Sequence, residues 1–120
     1  MTEYIQYSLI SGLRIFLQKD TGSMTLSEIL QDIHALQQDL FTYEHKYNIL
    51  SVTFYESYMQ GEEPPDDTWV LDWAGWAGTY QILQRRYKQY EEQISRLKQQ
   101  TSLISLIERS ARRESIPLAA

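Results

Sequence analysis

The 120-residue chain contains no cysteine, which excludes a disulfide framework, a thiolate nucleophile and a cysteine-based zinc site, and suits a reducing cytoplasm. Histidine is nearly as scarce. His34 and His45 stand eleven residues apart, so on one helix they share a face yet lie about 16 Å from each other, too far for one metal ion. No H-x-x-x-H or E-x-x-H pair exists, which removes the usual ligand set of a di-metal bundle; both histidines are expected on a polar face. Long apolar runs are missing as well. The most apolar stretch, near the N-terminus, is cut by Gln6, Ser8, Ser11, Gly12 and Arg14 and cannot cross a bilayer. A secretory leader would open on basic residues, but Glu3 comes first and Arg14 falls inside the apolar part. A soluble, cytoplasmic protein without membrane contact is expected. There is no Gly-x-Ser-x-Gly elbow and no Gly-rich phosphate loop, and a serine without a placed base is inert. Neither catalysis nor a cofactor is expected.

The length fits one domain of modest core, for which a protein partner or self-association is a natural source of further burial. The formal charge of −5 is unevenly spread. Residues 1–72 hold 12 acidic and 3 basic residues, a balance of −9, and residues 73–120 hold 4 acidic and 8 basic, a balance of +4. The acidic half disfavours nucleic acid, since phosphate neutralisation needs clustered Lys and Arg, and favours encounter with a basic protein.

Periodicity supplies the fold. Trp69, Trp73, Trp76, Tyr80, Leu83, Tyr87, Tyr90, Ile94 and Leu97 follow alternating steps of four and three, the a/d stripe of a coiled-coil-like helix. Leu26, Ile29, Ile33, Leu36, Leu40, Tyr43 and Tyr47 do the same. Thr25-Leu26-Ser27-Glu28 has the form of a capping box, so a helix is expected from Leu26 to about Tyr47. Asn48 can end it in the left-handed conformation. Ser51 is a candidate cap for a short helix Val52 to Met59, closed by Gly61. Glu62-Glu63-Pro64-Pro65-Asp66-Asp67 bars helix and fixes an extended turn, with Asp66, Asp67 and Thr68 placed to cap a helix running from Trp69 through Gln99. Thr101 and Ser102 weaken that helix, and Leu103, Ile104, Leu106 and Ile107 either extend it or form a short terminal helix ending before Pro117. Ile5, Leu9, Leu13 and Phe16 suggest a further helix over residues 3–19, although the alternation Ile5, Tyr7, Leu9 also suits a strand, before a turn at Asp20-Thr21-Gly22-Ser23; Met24, just after it, could itself start a shorter product. The expected fold is all-α: an antiparallel hairpin of two long helices joined by a short helix, completed as a bundle by the terminal segments or by dimerisation. Residues 1–23 form the N-terminal apolar segment, 24–99 the hairpin and 100–120 a C-terminal extension.

Trp69, Trp73 and Trp76 sit on the seam and are expected in the core. Ala74, Gly75, Ala77 and Gly78 beside them leave room for another backbone, and each glycine inside a helix costs roughly 1 kcal/mol against alanine. Arg85, Arg86 and Lys88 read as a solvated face bridging to the acidic first helix; with Arg109, Arg112 and Arg113 they are the positions nucleic acid would need. A magnesium-dependent nucleotide hydrolase would require paired carboxylates on a helix. The single E-x-x-D here, Glu63 to Asp66, contains both adjacent prolines and is a poor ligand pair.

The run Tyr43-Glu44-His45-Lys46-Tyr47-Asn48, then Ser51, Phe54, Tyr55, Gly61 before an acidic turn, and Asp72-Trp73, Trp76-Ala77-Gly78 and Tyr80 resembles short helical antitoxin-like proteins of prokaryotes, often encoded beside a small toxin. Their pattern is roughly YExKYxxxSxxFYxxxxxG, an acidic linker, then DWxxWAxxY, and the resemblance covers residues 25–98. Its matching positions are Tyr43, Lys46, Tyr47, Phe54, Tyr55, Gly61, Asp72, Trp73, Trp76 and Tyr80. The resemblance implies binding to a cognate toxin without catalytic residues. Under that reading Glu56, Glu62, Glu63, Asp66 and Asp67 are the expected recognition charges, and Tyr55 and Tyr58 the aromatic anchors. A self-associating helical scaffold is the alternative, and the nucleotide hydrolase a lesser one.

Overall fold

A computed structural model describes residues 24–112. The expected helix over 3–19, the turn at Asp20 to Ser23 and the end before Pro117 lie outside the described residues. Four α-helices follow one another: α1 (Leu26–Tyr47), α2 (Ser51–Met59), α3 (Val70–Gln100) and α4 (Leu103–Ala111), with a 3₁₀ turn Asp67–Trp69 leading into α3. Among the described residues there is no strand. The long helices α1 and α3 pack against each other as an antiparallel hairpin, and α2 closes its turn.

Local chemistry sets the boundaries. At the start of α1, Thr25 and Glu28 form the reciprocal capping box, the Thr25 amide donating to Glu28 Oε1 at 3.0 Å and the Glu28 amide to Thr25 Oγ1 at 3.1 Å. Asn48 ends α1 with φ +61°, its amide bonded to the Glu44 carbonyl. Gly61, at φ +99°, reverses the chain after α2 in a region that a side chain would strain. Ser51 does not cap α2 as expected. It is the first residue of the helix, Leu50 holds the cap position without a side-chain bond, and the Ser51 hydroxyl is used elsewhere. Ser102 caps α4 by accepting from the Ser105 amide.

Ile29, Ile33, Leu36, Leu40 and Tyr43 of α1 meet Trp76, Ala77 and Leu83 of α3 in one core. Beside this apolar seam runs a second, polar row with a seven-residue step on both helices. Lys46 Nζ meets Asp72 Oδ2 at 2.6 Å, Arg86 Nε meets Asp32 Oδ2 at 3.3 Å, and Gln93 Nε2 donates to the Met24 carbonyl at 3.2 Å. The same step sets buried Asp39 level with buried Thr79, whose hydroxyl donates back to the Gly75 carbonyl. Arg86 corrects the expectation of a solvated basic face: it does bridge to α1, but from the interior, 2% exposed. Burial presses its pKa down, opposed by Asp32. Arg85 and Lys88 remain exposed.

Trp69 also departs from the stripe. The α phase begins at Val70, after the 3₁₀ turn, so Trp69 is displaced to the surface, 39% exposed, with one edge on the Tyr47 ring.

Candidate functional site

The turn end of the hairpin gathers most of the chemistry. Trp76 is its hub, 2% exposed and stacked on Phe54 at 3.9 Å, Tyr47 at 5.5 Å and Tyr43 at 5.6 Å between ring centroids. Its indole Nε1 donates to Ser51 Oγ at 2.8 Å, and that hydroxyl donates to Glu44 Oε2 at 2.7 Å. The Ser51 amide donates to the same carboxylate oxygen at 2.8 Å. A buried indole N–H needs an acceptor, and the serine connects it to a charge at the edge of the core. Next to this relay, Tyr47 Oη and Lys46 Nζ both donate to Asp72 Oδ2, at 2.5 and 2.6 Å. Those two bonds hold the Asp72 carboxyl below the usual aspartate range. Burial, with the Asp72 bond, raises the Tyr47 phenol, and the Asp72 bond and charge raise Lys46.

Tyr43, Lys46, Tyr47, Phe54, Tyr55, Asp72, Trp73, Trp76 and Tyr80 thus meet in space, and Gly61 stands apart from them in open space. Tyr43, Lys46 and Tyr47 contact Trp76 or Asp72; Phe54 lies edge-on to Trp73 at 5.3 Å, and Tyr55 rests 4.8 Å from Tyr80. They build the corner of the hairpin, and they account for why α2 is held across α1 and α3.

The recognition residues read from the sequence divide into two groups. Glu56, Glu62, Glu63, Asp66 and Asp67 are exposed. Asp66 also accepts from the Thr68 amide at 2.8 Å, the bond that starts the 3₁₀ turn and lowers its pKa. Tyr55 and Tyr58 are half-buried instead: the Tyr55 hydroxyl accepts from Gln81 Nε2 at 2.9 Å, and Tyr58 packs on Phe54 at 5.5 Å. They support the corner with one face and show solvent the other.

Missing from the sequence reading is the apolar component of this end. Met59, Trp69, Val70 and Leu71 are exposed, Leu71 by 78%, and they bracket the carboxylates Glu62, Glu63, Asp66 and Asp67 in one short stretch of chain. The turn end is thus an acidic loop flanked by uncovered apolar side chains. A large side chain left in water at the start of a long amphipathic helix, out of phase with its buried stripe, was the available signal.

A second feature lies on one flank of the hairpin. An open groove of about 410 Å³ runs between α1, α2 and α3. Leu40 and Leu83 form its floor, Tyr80 and Tyr87 one wall, and the exposed side chains Phe41, Leu50 and Val52 its rim. Gln37 crosses it, donating to Tyr87 Oη at 2.8 Å.

Among the described residues no three His, Asp or Glu side chains converge to hold a metal ion, and no helix is long and apolar enough to cross a membrane. Compared with known proteins, the chain matches no family model, no curated protein sequence and no solved structure.

Proposed function

We propose that the chain is a non-enzymatic, antitoxin-like binding module that neutralises a small basic toxin by covering its active surface. The observation that carries this reading is the acidic loop flanked by exposed Met59, Trp69, Val70 and Leu71. Carboxylates steer a cationic partner and set its orientation. The apolar side chains supply the desolvated contact from which most affinity comes. The corner built on Trp76 and the Asp72 bonds anchors the helices from which the loop springs, and the fewer conformations its adjacent prolines allow, the less ordering is lost on binding. The partner is a small basic protein, met in the cytoplasm.

The test has two stages. The tagged chain is used to recover its partner from native lysate, and the purified pair is then assayed for loss of the partner's toxicity. Replacement of Glu62 and Glu63 by Gln and of Asp66 and Asp67 by Asn should slow association and reduce its salt dependence. Full toxin activity in the presence of excess wild-type chain would rule the reading out.

The groove rim of Phe41, Leu50 and Val52, with exposed Leu103, Ile104 and Ile107 on α4, favours a second reading, a self-associating helical scaffold. Sedimentation of the purified chain decides it: a monomer at every concentration removes that reading.

A further inference from the structure

Two apolar surfaces of the chain stand in water, and within one copy neither covers the other. The groove has exposed Phe41, Leu50 and Val52 at its rim. On α4, Leu103, Ile104 and Ile107 share one arc of the helix and are each more than half exposed, while Leu106 at the edge of that arc is buried. Thr101 and Ser102, both extended, set α4 off from α3. From Leu83 in the groove floor to Gln100 at the end of α3 is about 26 Å, and the nine residues of α4 span only about 14 Å. Helix α4 is thus too short and too distant to fill the groove of its own chain.

The stripe of α3 that leads from the groove toward α4 carries opposite charges one heptad apart. Gln84, Glu91, Ser95 and Lys98 follow at steps of seven, four and three, and all four are exposed. Neither Glu91 nor Lys98 makes an ion pair among the described residues. A second copy laid antiparallel on this stripe, about a two-fold axis between Ile94 and Ser95, sets each Glu91 against the partner's Lys98. The same rotation brings the partner's α4 level with Gln84 and Tyr87, on the α3 side of the groove.

We propose that two copies of the chain associate in this way, the α4 of each lying in the groove of the other. This rests on the self-association reading and names its interface. Either apolar surface alone is no larger than the few hundred Å² that a monomer commonly shows. A stable dimer needs about 800 Å² from each partner, which is the order reached when groove, α4 and the intervening stripe are covered together on both copies. The contact is isologous and therefore closes at two. Its axis lies near the C-terminal end of α3, away from the acidic turn.

The absence of cysteine lets single thiols report on the axis in the full chain. Ser95→Cys sets a thiol beside its own symmetry mate, within the roughly 7 Å between Cα atoms that a disulfide allows; Arg96→Cys is turned about 100° away round the helix. Under mild oxidation the first should give a product of twice the chain mass and the second should not. A mixture of Gln84→Cys and Ile104→Cys should give that product too, where neither variant alone does. In sedimentation, Glu91→Lys and Lys98→Glu should each weaken the dimer about tenfold or more, and the two made together should restore it, because the reciprocal pairs are remade with their signs exchanged. A dimer indifferent to the reversals, or one lacking either expected cross-link, overturns this interface and leaves self-association standing. A monomer at every concentration overturns both.

Discussion

Ser51→Ala is the most informative single change at the corner. The substitution removes one oxygen and leaves a residue that favours helix at the first position of α2. It does two things that surface serines do not. The hydroxyl's bond to the Glu44 carboxylate is lost, a charge-assisted contribution of about 1.5–3 kcal/mol, although the Ser51 amide still bonds to that carboxylate. The Trp76 Nε1–H, enclosed in the aromatic stack, is left without its acceptor, which costs about 1–3 kcal/mol. Allowing for overlap, Ser51→Ala should destabilise by about 2–4 kcal/mol, a large part of the roughly 5–15 kcal/mol of an ordinary domain. The diagnostic is the cycle with Trp76→Phe, which carries its own cavity cost but has no N–H to strand. Ser51→Ala made in that background should cost about 1–2 kcal/mol less than in the wild type. Urea unfolding followed by far-UV circular dichroism measures all four proteins, with a constant slope showing that the unfolding transition is unchanged in extent. Additivity within about 0.5 kcal/mol would refute the relay, and a Ser51→Ala cost in the range of surface substitutions would refute its burial.

Other outcomes follow from the same contacts. Because Asp72 has a lower pKa folded than unfolded, its contribution is complete above the unfolded carboxylate value and is lost as pH falls through the folded one. Acid titration of the melting temperature should show this loss, and Asp72→Asn should flatten that part of the curve. Arg86→Ala removes the cation from a buried pair and should cost about 3–5 kcal/mol in urea unfolding; Arg86→Lys should not fully restore stability, since an ammonium cannot reproduce the guanidinium's separate bonds to Asp32 and Gln89. Gly61→Ala, at positive φ in open space, should lower stability by about 1 kcal/mol, seen as an earlier thermal midpoint. Leu71→Ala should leave stability within about 0.5 kcal/mol yet measurably weaken capture of the basic partner in a binding titration.

What could be read in advance was whatever depends on neighbours in sequence. The Thr25–Glu28 box, the left-handed Asn48 and the reversal at Gly61 are decided within a few residues, and the two apolar stripes repeat often enough to specify a hairpin. Apolar periodicity is blind to a polar row of the same period. Asp32, Asp39 and Lys46, like Asp72, Thr79, Arg86 and Gln93, recur every seven residues, but such residues in isolation read as a solvated face, and only the packed hairpin reveals the burial of Asp39, Thr79, Arg86 and Gln93. Ser51 misled for a related reason: a serine at a helix start is ordinarily a cap, and the competing partners Glu44 and Trp76 are joined to it by tertiary structure alone. Of the candidate site, the carboxylates were legible because a double proline forces them into water. The exposure of Trp69 was not, because a single 3₁₀ turn takes it out of the phase of the α3 stripe.

The polar row also bears on how the hairpin finds its alignment. A heptad stripe of interchangeable apolar residues permits slippage by seven residues with many contacts kept, a trap for any chain that must zip two long helices together. Here one such slip would set Asp39 against Asp72 and leave Lys46 past the end of α3; the opposite slip would place Lys46 at Thr79 and separate Asp72 from both of its donors. Only the native alignment gives Asp72 its lysine and tyrosine while giving Arg86 its aspartate. The row thus acts as a key on an otherwise repetitive seam, and a foreign helix offered the same stripe would have to carry the same sequence of charges to be accepted.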